Sequence, residues 1–165
     1  IMWAVDGVGV TGGVEVGLLG DVVIAAKEAE FADTHAGVGI TPAGGITQAL
    51  AGMIGINRAR QRSLTGEYGN AQKAFDWGLV SEVVPQQHCV LRAVELAKEI
   101  AETDHRSMKA IRGLIEDSQE LPMETALAHE VKVFDNHMTD VSQKELGANR
   151  EKVQARGSRL QKFDQ

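Results

Sequence analysis

The 165-residue chain suits one domain with a real core, and its hydrophobic and charged contents are those of an ordinary soluble globular protein. A net charge of −6 with no long basic stretch argues against a nucleic-acid face. Cys89 is the only cysteine, which excludes an internal disulfide and a cysteine-based metal site. No signal peptide and no membrane-spanning run is visible, so the expectation is a cytoplasmic protein with no membrane partner. The chain begins at Ile1, inside an apolar strand pattern, as though cut from something longer.

The first stretch, Ile1 to Glu15, runs from an apolar strand into a glycine-rich turn and then opens a short helix. Gly12 and Gly13 leave room for a ligand to approach the backbone. The N–H groups that begin a helix have no partner within it and lie at its positive end, a combination that holds a negative oxygen. Glu15 follows at once, so a carboxylate stands beside an anion-stabilising turn, the pairing used in acid–base chemistry at a carbonyl compound. The plainer alternative makes Glu15 an ordinary first-turn acid in a capping position. A third reading is a dinucleotide site, because Gly7, Gly9 and Gly12 match that fingerprint and Glu28 follows at a suitable spacing. The segment Gly13 to Leu19 spans roughly two helical turns, short for a full crossover helix, which demotes that match.

Further along, Val14, Val16, Leu18 and Leu19 make the first helix apolar nearly all round, which implies burial. Asp21 to Ala26 reads as a buried strand and Glu30 to Asp33 as a short one, with a turn at 27–29 between them. Thr34 to Gly45 reads as a glycine-rich loop, a good place for binding residues. The pattern then becomes helical: Thr47 to Ile54, Asn57 to Leu64, and Ala71 to Trp77 with Asn70 as its cap. A strand over Leu79 to Val84 stops at Pro85. Long amphipathic helices follow, marked by Val90 to Ile100, by Ile111, Leu114 and Ile115, and by Leu127, Val131 and Phe134 after Pro122. The last helix, about Ser142 to Arg156, is mostly polar.

Among the titratable side chains, His35 stands in the glycine-rich loop, either as an acid or base near neutral pH or as an exposed or hydrogen-bonded loop histidine. Asp33 reads as a loop cap. His129 and His137 are eight residues apart, which does not suit a helical metal site. Ser63 and Thr65 have no adjacent base, so nothing supports nucleophilic catalysis. Arg58, Arg60 and Arg62 alternate along a short helix and read as solvated, facing different ways.

Taken in order, these motifs resemble the enoyl-CoA hydratase/isomerase (crotonase) superfamily. The segments that carry the likeness are Ala4 to Gly7, Gly12-Gly-Val-Glu15, Asp21 to Ala25, Ala29 to Ala32, Gly39-Ile-Thr-Pro42, Gly44-Gly45, Leu64-Thr-Gly66, Gly78-Leu-Val80 and Val83-Val-Pro85. The resemblance implies an α/β fold, with part of a ββα spiral core over residues 1–85 and a helical trimerisation subdomain over 86–165. It implies an acyl-CoA thioester substrate, with coenzyme A as part of the substrate and no separate cofactor or metal, and a homo-trimer or hexamer. Glu15 matches one of the hydratases' two catalytic glutamates, and Gly12 an oxyanion N–H, with Gly13, Pro42 and Gly44 beside the substrate. The position of the second glutamate holds His35. The family's N-terminal part, which would supply the other oxyanion N–H and much of the adenine pocket, has no counterpart here. The expected activity is that of a hydratase-type lyase acting on 2-enoyl-CoA. The alternatives are isomerisation or another thioester-enolate reaction, and a non-catalytic subunit retained for assembly.

Overall fold

The run Val22–Ala26 forms β3, and its unbroken hydrophobicity is that of a parallel strand covered on both faces. A computed structural model describes residues 1–160, with side chains through Arg156. In it β3 lies between β1 (Met2–Val5) and β6 (Glu82–Val84), parallel to both. A second sheet contains β2 (Val8–Val10), β4 (Glu30–Ala32) and β5 (Gly69–Asn70), with β4 parallel to β2 and antiparallel to β5. The single N-terminal strand expected from the sequence is therefore two strands, one in each sheet, separated at Asp6-Gly7. Gly9 pairs with Phe31 inside β2, so the glycines of the dinucleotide pattern do not share one phosphate turn.

Six helices accompany these strands: α1 (Gly12–Gly17), α2 (His35–Val38), α3 (Ile46–Ile54), α4 (Ile56–Thr65), α5 (Ala71–Asp76) and α6 (Cys89–Ala101). Asn70 caps α5 as expected, accepting the Lys73 N–H at 2.9 Å. Where a loop was expected over 34–45, α2 makes one turn, closed at Gly39 by N–H bonds to the His35 and Ala36 carbonyls. The core runs from Val5, Val14, Val23 and Ile24 through Phe31 and Ile46 to Leu79 and Ala93. Gly17 is where α1 meets it. A Cβ there would stand 2.1 Å from the Trp3 ring, so only glycine lets the helix lie this close to β1.

Three expectations need correction. The helix α1 is not buried all round: Val14 is in the core, but Val16 is 71% exposed, and Leu19, expected in the same helix, lies beyond its end at Gly17 and is 68% exposed. Six residues give α1 one buried stripe, and its opposite face is uncovered. Arg58 and Arg62, four apart, do not face different ways. Both guanidinium groups lie over the Trp77 ring, at 5.3 and 4.7 Å, and Arg62 is buried. The compact unit that contains the sheets ends at Glu102 rather than at residue 85. The reason is α6. Its Cys89 is fully buried and its thiol donates to the Val5 and Ile24 carbonyls at 3.5 and 3.7 Å, so the helix belongs to the core. Burial pushes the Cys89 thiol up, which keeps it a donor.

The second unit begins at Thr103 and holds α7 (His105–Asp117), α8 (Met123–Met138) and α9 (Gln143–Leu160). Asp104 caps α7 by accepting the Ser107 N–H at 2.8 Å. Ser142 and Glu145 form a reciprocal capping box at the start of α9, at 2.9 and 3.2 Å. None of residues 103–156 is buried within this unit. Residues 161–165 of the expected helical half lie outside the described residues. No helix among those residues is long and apolar enough to cross a membrane.

Candidate active site

Two short helices leave neighbouring strands and meet at the site. The helix α1 follows β2, and α2 follows β4, the parallel partner of β2. Thr11 locks the two starts together. Its N–H donates to the Ala32 carbonyl at 3.0 Å and its hydroxyl bonds the Thr34 hydroxyl. Thr11 holds φ at +51°, a left-handed backbone that is strained for a β-branched residue and is held here by these contacts. Gly12 and Gly13 come next. Their N–H groups open the helix without an intrahelical acceptor, both residues are exposed, and open space lies where a Cβ would stand.

Glu15 points away from its own helix start. Its Oε1 accepts the Gly44 N–H at 2.8 Å, across the loop that precedes α3. Glu15 is thus a first-turn acid whose carboxylate also serves a residue distant in sequence. Gly44 must be glycine for this approach: a Cβ there would meet the Glu15 Cδ and Oε2 at 2.7 Å. On the other side of Glu15 stands His35. Its Nε2 is 3.9 Å from Glu15 Oε2, beyond a hydrogen bond and close enough for one proton-carrying group to touch both. His35 is 5% exposed, so it is not the solvated loop histidine that its neighbourhood in sequence also allowed.

Behind His35 lies Asp33, 3% exposed. Its Oδ1 is 2.6 Å from His35 Nδ1 and also accepts the His35 backbone N–H at 3.3 Å. Burial by itself raises the Asp33 carboxyl. Hydrogen bonding from the Ser63 and His35 side chains and the charge of His35 outweigh that, and hold it below the ordinary carboxylate value. Ser63 is near enough to stabilise the charge, yet Oδ2 has no hydrogen-bond partner of good geometry, and neither has Nη2 of Arg62. Asp33 and Arg62 both line an otherwise apolar internal cavity of about 30 Å³, walled by residues such as Val14, Ile46, Leu50 and Trp77.

The structure thus brings Glu15, His35 and Gly44 together, with Gly12 and Gly13 at the start of the helix that carries Glu15. Pro42 is half-buried in the loop before Gly44. Two contributors were missed from sequence. Asp33 read as a cap, although the Asp-x-His spacing just after a strand was a visible signal. Thr11 gave no signal at all, since its role depends on a backbone conformation. Among the described residues, no group of three or more His, Cys, Asp or Glu side chains is placed to hold a metal.

An α/β protein with a carboxylate and an imidazole facing across a gap, beside free helix-start N–H groups, is built for proton transfer next to a developing anion. The chain matches the enoyl-CoA hydratase/isomerase family over residues 1–156, and it belongs to that family. It is 31% identical over 159 residues to the probable peroxisomal enoyl-CoA hydratase 1 of Arabidopsis thaliana, covering 96% of this chain and 60% of that protein. It is 35% identical to the 2,3-dehydroadipyl-CoA hydratase of Escherichia coli K12, over 79% of this chain and 51% of that one. Among solved structures, enoyl-CoA hydratase subunit I of Geobacillus kaustophilus superposes with a TM-score of 0.86 at 30% identity, over 92% of this chain and 59% of that one. The expected crotonase-type α/β fold is therefore the fold of this chain. The chain spans about 60% or less of the length of these relatives.

Proposed function

We propose that the chain carries the proton-transfer half of an enoyl-CoA hydratase. The observation that supports this most is the pair of half-buried Glu15 and buried His35, facing each other at 3.9 Å. In this reading water sits between them. Its oxygen bonds to C3 of a 2-enoyl-CoA as the 2,3 π bond breaks, and its proton passes to the Glu15 carboxylate. Negative charge develops on the thioester oxygen and is held by the Gly12 N–H. C2 then takes a proton from Nε2 of His35 in its doubly protonated form. Transfer of the proton from Glu15 back to His35 resets the site, and the net result is addition of water. Glu15 suits the base role because the Gly44 N–H holds its Oε1, which leaves Oε2 turned to the gap that His35 faces. Imidazole takes the place of the second carboxylate of a two-glutamate hydratase.

We place the assembly as a homo-trimer or hexamer in a reducing, cytoplasmic compartment. Support for the first part comes from apolar side chains that the second unit leaves exposed, including Ile111, Ile115, Val131 and Phe134. The single buried thiol suits the second part.

Crotonyl-CoA hydration tests the reading, on this chain and on any longer form of the protein that turns over. Glu15→Gln keeps the shape and removes the base, so kcat falls by roughly 10²-fold or more while CoA-ester binding changes little. His35→Glu restores two carboxylates and raises hydration above the parent's. Parental turnover by Glu15→Gln would sink the proposal.

A further inference from the structure

We infer that Asp33 is a positioning residue that keeps a proton on His35 Nδ1 throughout, so that Nε2 alone exchanges protons in the gap facing Glu15. The kinetic part of this rests on the hydration proposed above; the structural part does not.

The argument starts from what a carboxylate can do. Ionised, it only accepts, so the 2.6 Å contact with Asp33 Oδ1 requires the hydrogen to sit on Nδ1. The partner of one imidazole nitrogen decides what the other presents. With Nδ1 committed, neutral His35 presents a lone pair at Nε2, and protonated His35 presents an N–H there. Both states face Glu15 Oε2 at 3.9 Å. Without Asp33, neutral His35 has two tautomers, one of which places its lone pair at Nδ1, away from the substrate side. That fraction is idle.

A purely structural role has to be weighed, because Oδ1 also accepts the His35 backbone N–H at 3.3 Å. An asparagine performs that capping equally well. A carboxylate only 3% exposed, with Oδ2 lacking a good partner, is more charge than a cap requires. The charged groups around the imidazole are consistent with the assignment. Asp33 stands on one side and Glu15 of α1 on the other. From α4, Arg62 lines the cavity beside Asp33, while the Arg62 Nη1 is turned to the Glu67 carbonyl at 2.7 Å. The proton count closes: Nδ1 keeps its hydrogen, Nε2 gives one to C2, and Nε2 recovers one from Glu15.

Nitrogen-15 NMR of the imidazoles tests this on the 165-residue chain as it stands, with the His35 signals assigned by their loss in His35→Gln. We expect neutral His35 to show a protonated Nδ1 and an unprotonated Nε2, and Asp33→Asn to show mixed or reversed tautomers. A parent His35 protonated on Nε2 in its neutral form overturns the inference, and that measurement needs no variant of Asp33 to fold. So does an unchanged pure Nδ1–H form in Asp33→Asn. In the form that hydrates crotonyl-CoA, Asp33→Asn should lower kcat by about 10²- to 10⁴-fold, the upper figure being that of the analogous aspartate swap in serine proteases. KM should stay within about threefold, since the lost interaction acts on the reacting step. Parental kcat in Asp33→Asn overturns the inference as well. If instead Glu15→Gln keeps its rate, the hydration reading fails, and the tautomer measurement still decides what Asp33 holds.

Discussion

The two units of this chain treat their side chains in opposite ways. The unit ending at Glu102 buries a contiguous apolar core and, within it, three polar groups, Asp33, His35 and Arg62. Among the described residues of the unit from Thr103 none is buried, and Ile111, Leu127, Val131 and Phe134 are largely exposed along α7 and α8. Both are rich in amphipathic helix, so amphipathicity alone does not tell a core from an interface. What separates them is the presence of sheets. Strands β1, β3 and β6 give the first unit a flat apolar surface on which α6 can lie. The described part of the second is helical, and apolar side chains of α7 and α8 stay exposed within it. The titratable groups buried in the first unit stand at the edge of that core, where Asp33 and Arg62 line a small apolar cavity.

Mutation separates the two kinds of apolar residue. Ile24 is fully buried in β3, and Ile24→Ala should destabilise the first unit by about 2–5 kcal/mol in denaturant unfolding. A loss below about 1 kcal/mol would break the contrast, by showing that the core collapses as easily as a surface. Gly44→Ala comes next. The new Cβ pushes directly on the Glu15 carboxylate, and a displacement on the order of 1 Å is worth roughly 10² in turnover. Crotonyl-CoA hydration reads that change, and stability should be nearly parental. Phe134 is 60% exposed, so Phe134→Ala should alter unfolding by only about 0.5 kcal/mol or less. It should nevertheless weaken self-association, seen as a lower mass by light scattering. A large stability loss without change in mass would make Phe134 a core residue of its own unit.

Much of this was legible beforehand, and the exceptions share a cause. The buried strand at Val22–Ala26, the helices around Gly55 and the Asn70 cap follow from local pattern, because each depends on residues within one turn or one strand. That Glu15 and His35 share a site followed from the family resemblance, while the bond from the Gly44 N–H to Glu15 did not, since Gly44 was expected beside the substrate. Asp33 was misjudged because the bend at Thr34 brings its side chain back onto the imidazole two residues on. The division of the N-terminal strand between two sheets depends on pairing with β3 and β4, which are distant in sequence. The boundary at Glu102 was hidden for a similar reason. Nothing in the helical stripe of α6 says that Cys89 hydrogen-bonds to carbonyls in β1 and β3. The exposure of Val16 on α1 depends on which face packs, and periodicity on so short a helix does not decide that; Leu19 is exposed because the helix ends at Gly17, before it.

The smallest expected effect concerns pH, and it contrasts carboxylates in the two units. Asp33, Asp104 and Glu145 all have carboxyl groups held below their ordinary values. A carboxyl whose folded value is depressed adds stability that is fully present above its unfolded value. That stability is lost as pH falls through the folded one. For Asp33 the loss therefore begins below about pH 4, the ordinary range of an aspartate. Asp104 and Glu145 lose theirs in an overlapping window, but they are exposed helix caps and belong equally to parent and variant. Subtracting the unfolding free energy of Asp33→Asn from that of the parent cancels them and leaves the buried group. The difference should shrink as pH falls below about 4. Added salt should not flatten it, because a buried contact is screened far less than a surface one. A difference that stays level down to about pH 3 would mean that Asp33 is no more dependent on its charge than the caps of the second unit are.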